Sequence, residues 1–370
     1  MNVPLSVLDL APISAGSDAA AALRNTVDLA RHAEQWGYRR YWLAEHHFVA
    51  VTSSSPAVLI GQLASATQRI RVGAAAVQLG YTTAVAVVES FGILDALHPG
   101  RIDLGVGRSG QRRREANAPK RDRPKPTPRT WHEVDGVVVP TPFDVSALMT
   151  NPRLRARMSL LQPEANALDF DDQVSDILAM LDGTFSVDGV ETHVVPGEGA
   201  PLRPWVFGSS KGQSARVAAA HGLPFVASYH ITPATALEAV EVYRTEFVPS
   251  ASLPEPYVVV SADVVVADDT ATARHLASTY GHWVHAIRSG EGAVPYPDPD
   301  AHQPLTPEQA ELVKDRLATQ FVGDPDEVAH RLEALQRVTD ADELVITSVT
   351  HRQADRLRSH ELIAKRWGLM

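Results

Sequence analysis

The sequence predicts an α/β protein: a closed (β/α)8 TIM barrel with long insertions after strands 4 and 7. Three observations carry this. Short apolar runs recur eight times, helix-like segments follow most of them, and the runs are almost wholly apolar rather than alternating. Strands apolar on both sides belong to a parallel sheet covered on both faces. An open doubly wound sheet shares that pattern, and the count of eight favours closure.

The first strand is "LSVLDLAPI" (5–13). The next segment, 18–37, places Leu23, Val27, Ala30 and Ala33 on one helical face, with Asp18 as N-cap and Gly37 as the stop. "YRRYWLAEHH" (38–47) reads as the second strand, and 55–67 as a helix with proline in its first turn. A third strand (70–80), a helix stopped by Pro99 and Gly100, and a fourth strand (101–110) follow. The alternation resumes with strands at 204–210, 223–230, 256–267 and 343–350, and a closing helix from Gln353. Residues 1–370 thus read as a single barrel domain. Two segments depart from the repeat: 111–165, an irregular insertion, and 288–307, a Pro- and Gly-rich candidate lid loop. Each comes after a strand, on the face where barrels keep their active sites.

The 34 basic residues against 44 acidic ones give a net charge of −10, which disfavours general nucleic-acid binding. Nine Arg and Lys residues crowd into 108–129, but four prolines interrupt them, as in a solvated or lid loop. The absence of cysteine removes disulfides, iron–sulfur clusters, thiolate zinc sites and cysteine nucleophiles. It fits a reducing compartment. The N-terminus has no basic n-region, and no apolar run is long enough to span a membrane. The expectation is a cytoplasmic protein without membrane contact.

Three motifs carry chemistry. "AEHHF" (44–48) provides no i, i+4 histidine pair for zinc, so no metal is expected. If the strand continues through it, His46 points one way and Glu45 and His47 the other. One histidine at a barrel mouth suits proton transfer; two structural histidines are the alternative. "GVGRSG" (105–110) matches G-x-G-x-x-G, but "QRRREANAPKRDRPKP" follows where a helix should open, which excludes a dinucleotide site. Arg108 at the strand end is left as a phosphate contact or a surface residue. "FGSSKGQSAR" (207–216) links a strand to a helix start through Gly208, Ser209, Ser210, Lys211 and Gly212, a combination suited to phosphate.

Together these segments resemble the bacterial luciferase-like family of flavin-dependent monooxygenases. "RYWLAEHHF", "RVGAAAVQL", "LHPGRIDLGVGRS" and "VFGSSKGQSARVAAAHGLPFVAS" carry the resemblance, in the family's order, over roughly residues 4–110 and 202–350. It implies an enzyme using reduced FMN and oxygen to oxygenate a small organic substrate through a flavin hydroperoxide. The FMNH2 would come from a separate NAD(P)H-dependent flavin reductase, because no nicotinamide site is visible. By position, His46 matches the catalytic histidine. Ala75 and Ala76 match a non-proline cis peptide beneath the flavin ring, and Arg108 and the 208–212 turn match the phosphate contacts. A homodimer is implied. A deazaflavin (8-hydroxy-5-deazaflavin) hydride-transfer enzyme and a non-catalytic flavin-binding protein are the alternatives on the same barrel. Asp9, Tyr229 and His230 are candidate substrate contacts at the mouth.

Overall fold

The computed structural model describes residues 3–108, 130–144, 151–152, 160, 169–208 and 212–370. Eight parallel strands close into a ring: β1 (Leu5–Asp9), β2 (Arg40–Leu43), β3 (Arg71–Ala74), β5 (Ile102–Gly107), β10 (Pro204–Gly208), β11 (Phe225–Ala227), β12 (Val258–Val266) and β14 (Glu343–Thr347). β14 pairs with β1 to complete the circle. The third strand is interrupted after Ala74, the Ala75–Ala76 peptide bond is cis, and a short β4 (Val77–Gln78) rejoins β5.

Helices α1 (Ala19–Gln35), α2 (Pro56–Ala66) and α3 (Ala84–Leu97) cover the first half of the ring. Asp18 caps α1 by accepting the Ala21 N–H at 2.8 Å. Gly37 then turns the chain with φ +83, and a Cβ there would lie 2.7 Å from the Leu369 carbonyl. The second half is covered by α5 (Gln213–Ala220), α6 (Pro233–Glu246), α10 (Pro325–Thr339) and α11 (Gln353–Trp367). Among the described residues no helix is long and apolar enough to cross a membrane.

Period-two alternation divides the core in two. Leu5 and Val7 pack outward with the helices, whereas Leu8 packs inward with Trp42, Trp205, Val226, Val259 and Val345. The bottom of the lumen is polar. Glu343 accepts from Ser6 at 2.5 Å and Tyr257 at 3.0 Å and pairs with Arg40, which also pairs with Asp103 at 3.2 Å. Above that floor Trp42 meets Trp205 and Phe207 edge-on, with centroids 5.5 and 5.3 Å apart. The glycines of the fourth strand make room for these rings. A Cβ on Gly105 would sit 1.9 Å from the Ala74 carbonyl and 2.5 Å from Phe207. The G-x-G-x-x-G match therefore reflects packing, not a dinucleotide loop.

Both long insertions are present and differ in detail from expectation. Inside 111–165 the described part holds a hairpin, β6 (His132–Val134) and β7 (Val137–Val139), turned by Asp135 and Gly136 at positive φ. Helix α4 (Phe170–Leu181) follows, and then a second Asp-Gly hairpin, β8 (Ser186–Val187) and β9 (Val190–Glu191). After β12 come α7 (Thr270–Ala277), α8 (Tyr280–Arg288), α9 (Pro307–Thr319) and β13 (Phe321–Gly323), which lengthens the pairing of β12. The 288–307 segment is fastened down at its centre. Tyr296 is fully buried, its N–H donates to Ile13 O at 2.7 Å, and its carbonyl accepts from Ala15 at 2.9 Å.

Candidate active site

His46 lies just beyond the C-terminal end of β2, which stops at Leu43. The split within the motif survives the shorter strand. Glu45 and His47 join at 2.8 Å, and Glu45 also accepts the Gln78 N–H at 3.1 Å, tying this turn to β4. Ala44 belongs to the lumen cluster, and His46 is half-buried at the mouth above it. No described residue hydrogen-bonds its ring nitrogens. Burial of the ring, followed by the neighbouring His47, lowers its pKa to about 4. It is a neutral imidazole at physiological pH, able to take or return a proton.

Beside it runs a ledge of small residues. The cis peptide joins Ala75 to Ala76, and Ala75 N–H donates to Leu43 O at 2.6 Å. Gly107 faces this ledge, and a Cβ on it would be 3.3 Å from the Ala76 methyl. Arg108 is half-buried directly after β5. Gly208 ends β10, where a Cβ would collide with Ser214 at 2.6 Å. Gly212 is the N-cap of α5 and provides no side-chain cap to its N–H groups. The remaining phosphate-turn candidates, Ser209, Ser210 and Lys211, lie outside the described residues.

The opposite wall comes from β11, β12 and β14. His230 is buried, with Nδ1 2.5 Å from Ser261 Oγ. Its pKa falls to about 3 through burial, then the charges of Arg316 and His46. Asp263 shares the inward face of β12 with Ser261, and Gln320 donates to it at 3.0 Å. Burial raises its carboxyl to about 6, against the opposing effects of Gln320, Arg316 and Tyr280. "VVVSADVVV" shows the signal that sequence reading passed over: two polar residues, spaced by two, in an otherwise apolar strand.

Two of the three expected mouth residues point away from the lumen. Asp9 faces the helix layer, accepting from Thr26 at 2.7 Å, Tyr41 at 2.5 Å and Ala11 N–H at 2.6 Å, and pairing with Arg356 at 2.5 Å. Tyr229 packs outward against Phe321 and donates to Val138 O at 2.8 Å, holding the first hairpin. Only His230 reaches the lumen. The register of pairing with neighbouring strands decides the face of each candidate, and "LSVLD" or "FVASYH" alone does not tell which residue of the alternation lies inward.

A closed parallel barrel with a neutral histidine and a small-residue ledge at its C-terminal mouth is the architecture of a barrel enzyme. The profile of the luciferase-like monooxygenase family matches residues 3–132 and 175–341, and the chain belongs to this family. It is 37% identical over 365 residues to the uncharacterized protein YvbT of Bacillus subtilis (strain 168), covering 98% of this chain and 96% of that one. A luciferase-like monooxygenase of Escherichia coli (strain K12) is 35% identical over the same length and coverage. The crystal structure of apo-MsnO8 superposes with a TM-score of 0.78 at 29% identity, covering 100% of this chain and 99% of that chain. The FMN complex of the oxygenating constituent of 3,6-diketocamphane monooxygenase from Pseudomonas putida (TM-score 0.64, 17% identity, 99% and 97% coverage) shares the fold. So does an F420-dependent secondary alcohol dehydrogenase (TM-score 0.60, 12% identity, 99% coverage of each).

Proposed function

We propose that this monooxygenase binds reduced FMN and uses oxygen to oxygenate a small organic substrate. The observation that carries the reading is the neutral His46, without a side-chain partner among the described residues, beside the Ala75–Ala76 and Gly107 ledge. The residues fit the group. The ledge carries no side chain larger than a methyl group, which leaves room for a ring system, and the uncapped start of α5 offers N–H groups to a phosphate. Arg108 and the 208–212 turn, with Ser209, Ser210 and Lys211, would hold the phosphate. Bound there, the flavin supplies the oxygen chemistry.

The chain does the rest. The edge-to-face aromatic cluster of Trp42, Trp205 and Phe207 closes the lumen beneath the ledge and excludes water. The imidazole of His46 holds or accepts a proton at its free ring nitrogen while substrate is oxygenated. His230, fixed by Ser261, forms part of the far wall of the substrate site. A separate flavin reductase supplies the reduced cofactor; the P. putida neighbour, described as an oxygenating constituent, supports this arrangement. Two copies pair through α2 and α3, where Val58, Ile93 and Leu97 are 76%, 50% and 68% exposed.

The test combines cofactor and oxygen. The protein is titrated without oxygen with reduced FMN and, separately, with the reduced deazaflavin; isotopically labelled oxygen is then admitted with candidate substrates. Tight FMN binding and label in the product are expected. His46→Ala keeps the binding and loses about 10²–10⁴-fold in product formation, the usual worth of a positioned acid–base group. Preference for the deazaflavin, or wild-type turnover without His46, overturns the reading.

A further inference from the structure

The insertion after the seventh strand is fastened to the lumen wall by a chain of polar groups that the flavin chemistry does not use. Arg316 of α9 donates to the Tyr280 hydroxyl at 2.5 Å. Tyr280 hydrogen-bonds Asp263 in turn, and Gln320 donates to the same carboxylate. The relay passes through a neutral phenol. No described carboxylate ion-pairs with Arg316, and its buried Nε has no hydrogen-bond partner. On the neighbouring strand Thr347 stands in register with Asp263, and its fully buried hydroxyl is also unpartnered. Arg316 is half-buried with its Nε shielded from water, and the guanidinium fork matches carboxylate geometry.

The position of Arg316 relates it to the reaction site. Its charge reaches His230, which in turn feels His46. Beside these polar groups Leu10, Val349, Tyr280, Trp283 and Tyr296 belong to one apolar cluster, which also holds the inward-facing Leu8 and Trp42. A ligand fitting both features has an apolar body and a single negative head.

We propose that Arg316, held by Tyr280, anchors the carboxylate of an apolar carboxylic acid whose body extends along Leu10 and Trp283 towards His46. This names the substrate class of the proposed monooxygenase and rests on that reading. A second consequence concerns Asp263. Arg316, Gln320, Tyr280 and Tyr296 face it, with Thr347 alongside and Ser261 and His230 below. An anion docked on Arg316 repels the buried Asp263 carboxylate, one hydroxyl away through Tyr280, so binding draws a proton from solvent onto Asp263.

Calorimetry on the flavin-free protein tests this independently of oxygen chemistry, so its failure is distinct from failure of the flavin reading. The probes are hexanoate, methyl hexanoate and hexylamine at neutral pH, in two buffers of different ionisation heat. Hexanoate is expected to bind at least about tenfold more tightly than the ester or the amine, with proton uptake. Arg316→Met erases the preference; Asp263→Asn keeps it and removes the uptake. Near-ultraviolet circular dichroism of Trp283 and its neighbours reports whether Arg316→Met keeps the roof intact. Arg316→Gln, which removes the charge and keeps a hydrogen-bonding side chain, replaces it if it does not, and is likewise expected to erase the preference. Hexanoate binding no tighter than the ester, or not at all, or a preference that survives Arg316→Met, overturns the proposal.

Discussion

Replacing Asp9 by asparagine separates a structural carboxylate from a substrate contact. Asp9 is fully buried at the end of β1, accepts three hydrogen bonds and pairs with Arg356, itself only 3% exposed. The amide keeps the volume and removes the charge. Arg356 is then left with the Ser348 carbonyl, 2.9 Å from its Nε, and no carboxylate. Breaking one half of a buried ion pair costs about 3–5 kcal/mol, a large part of the roughly 5–15 kcal/mol by which domains are stable. Chemical denaturation followed by circular dichroism is the assay, with flavin affinity measured on the folded fraction. The pH dependence gives a second reading. Burial alone raises the Asp9 carboxyl, but Arg356, Tyr41 and Ala11 overcome it and hold the pKa below its ordinary value. The stabilisation is therefore present above the unfolded-state pKa and disappears as pH falls through the folded one. Asp9→Asn should flatten that acid limb. Wild-type stability with weakened ligand binding would refute the structural assignment.

Three further outcomes follow from the same geometry. Gly105→Ala should lose at least the 1–3 kcal/mol typical of overpacking, because its Cβ meets the Ala74 carbonyl at 1.9 Å; a stable variant with weakened phosphate binding contradicts this. Tyr229→Phe frees the Val138 carbonyl and should cost about 0.5–1.5 kcal/mol in a melting experiment while leaving turnover alone; reduced turnover at unchanged stability speaks against it. Because the neutral form of His46 persists down to about pH 4, kcat/KM should run flat through the ordinary histidine range near 6.5 and fall only on approach to 4; a limb near 6.5 assigns the proton to another group.

Much of this protein is readable from local chemistry. Apolar runs without alternation specify strands buried on both faces, and eight of them with helices between specify the ring. Asp18 and Gly37 mark the ends of α1 because an N-cap acceptor and a left-handed glycine act within a few residues of themselves. The Asp-Gly turns at 135–136 and 188–189 are equally local, and their hairpins, the first inside the segment read as irregular and the second beyond it, were legible in "EVDGVVV" and "SVDGVE". Sequence by itself also singled out His46, Ala75, Ala76 and Gly208, which gather at one end of the barrel.

The tertiary structure decided what depends on register and on distant chain. Asp9 and Tyr229 turn outward because the pairing of β1 with β14, and of β11 with β12, fixes which member of each alternation faces the lumen. Gly105 is needed because Phe207, a hundred residues away in the chain, fills the space beside it. Arg316 acquires meaning only when α9 folds back over the seventh strand and sets its guanidinium near Tyr280, Asp263 and His230. Patterns of period two or 3.6 state which residues are buried. They do not state against what, because burial is a property of one element whereas a site is a coincidence of several.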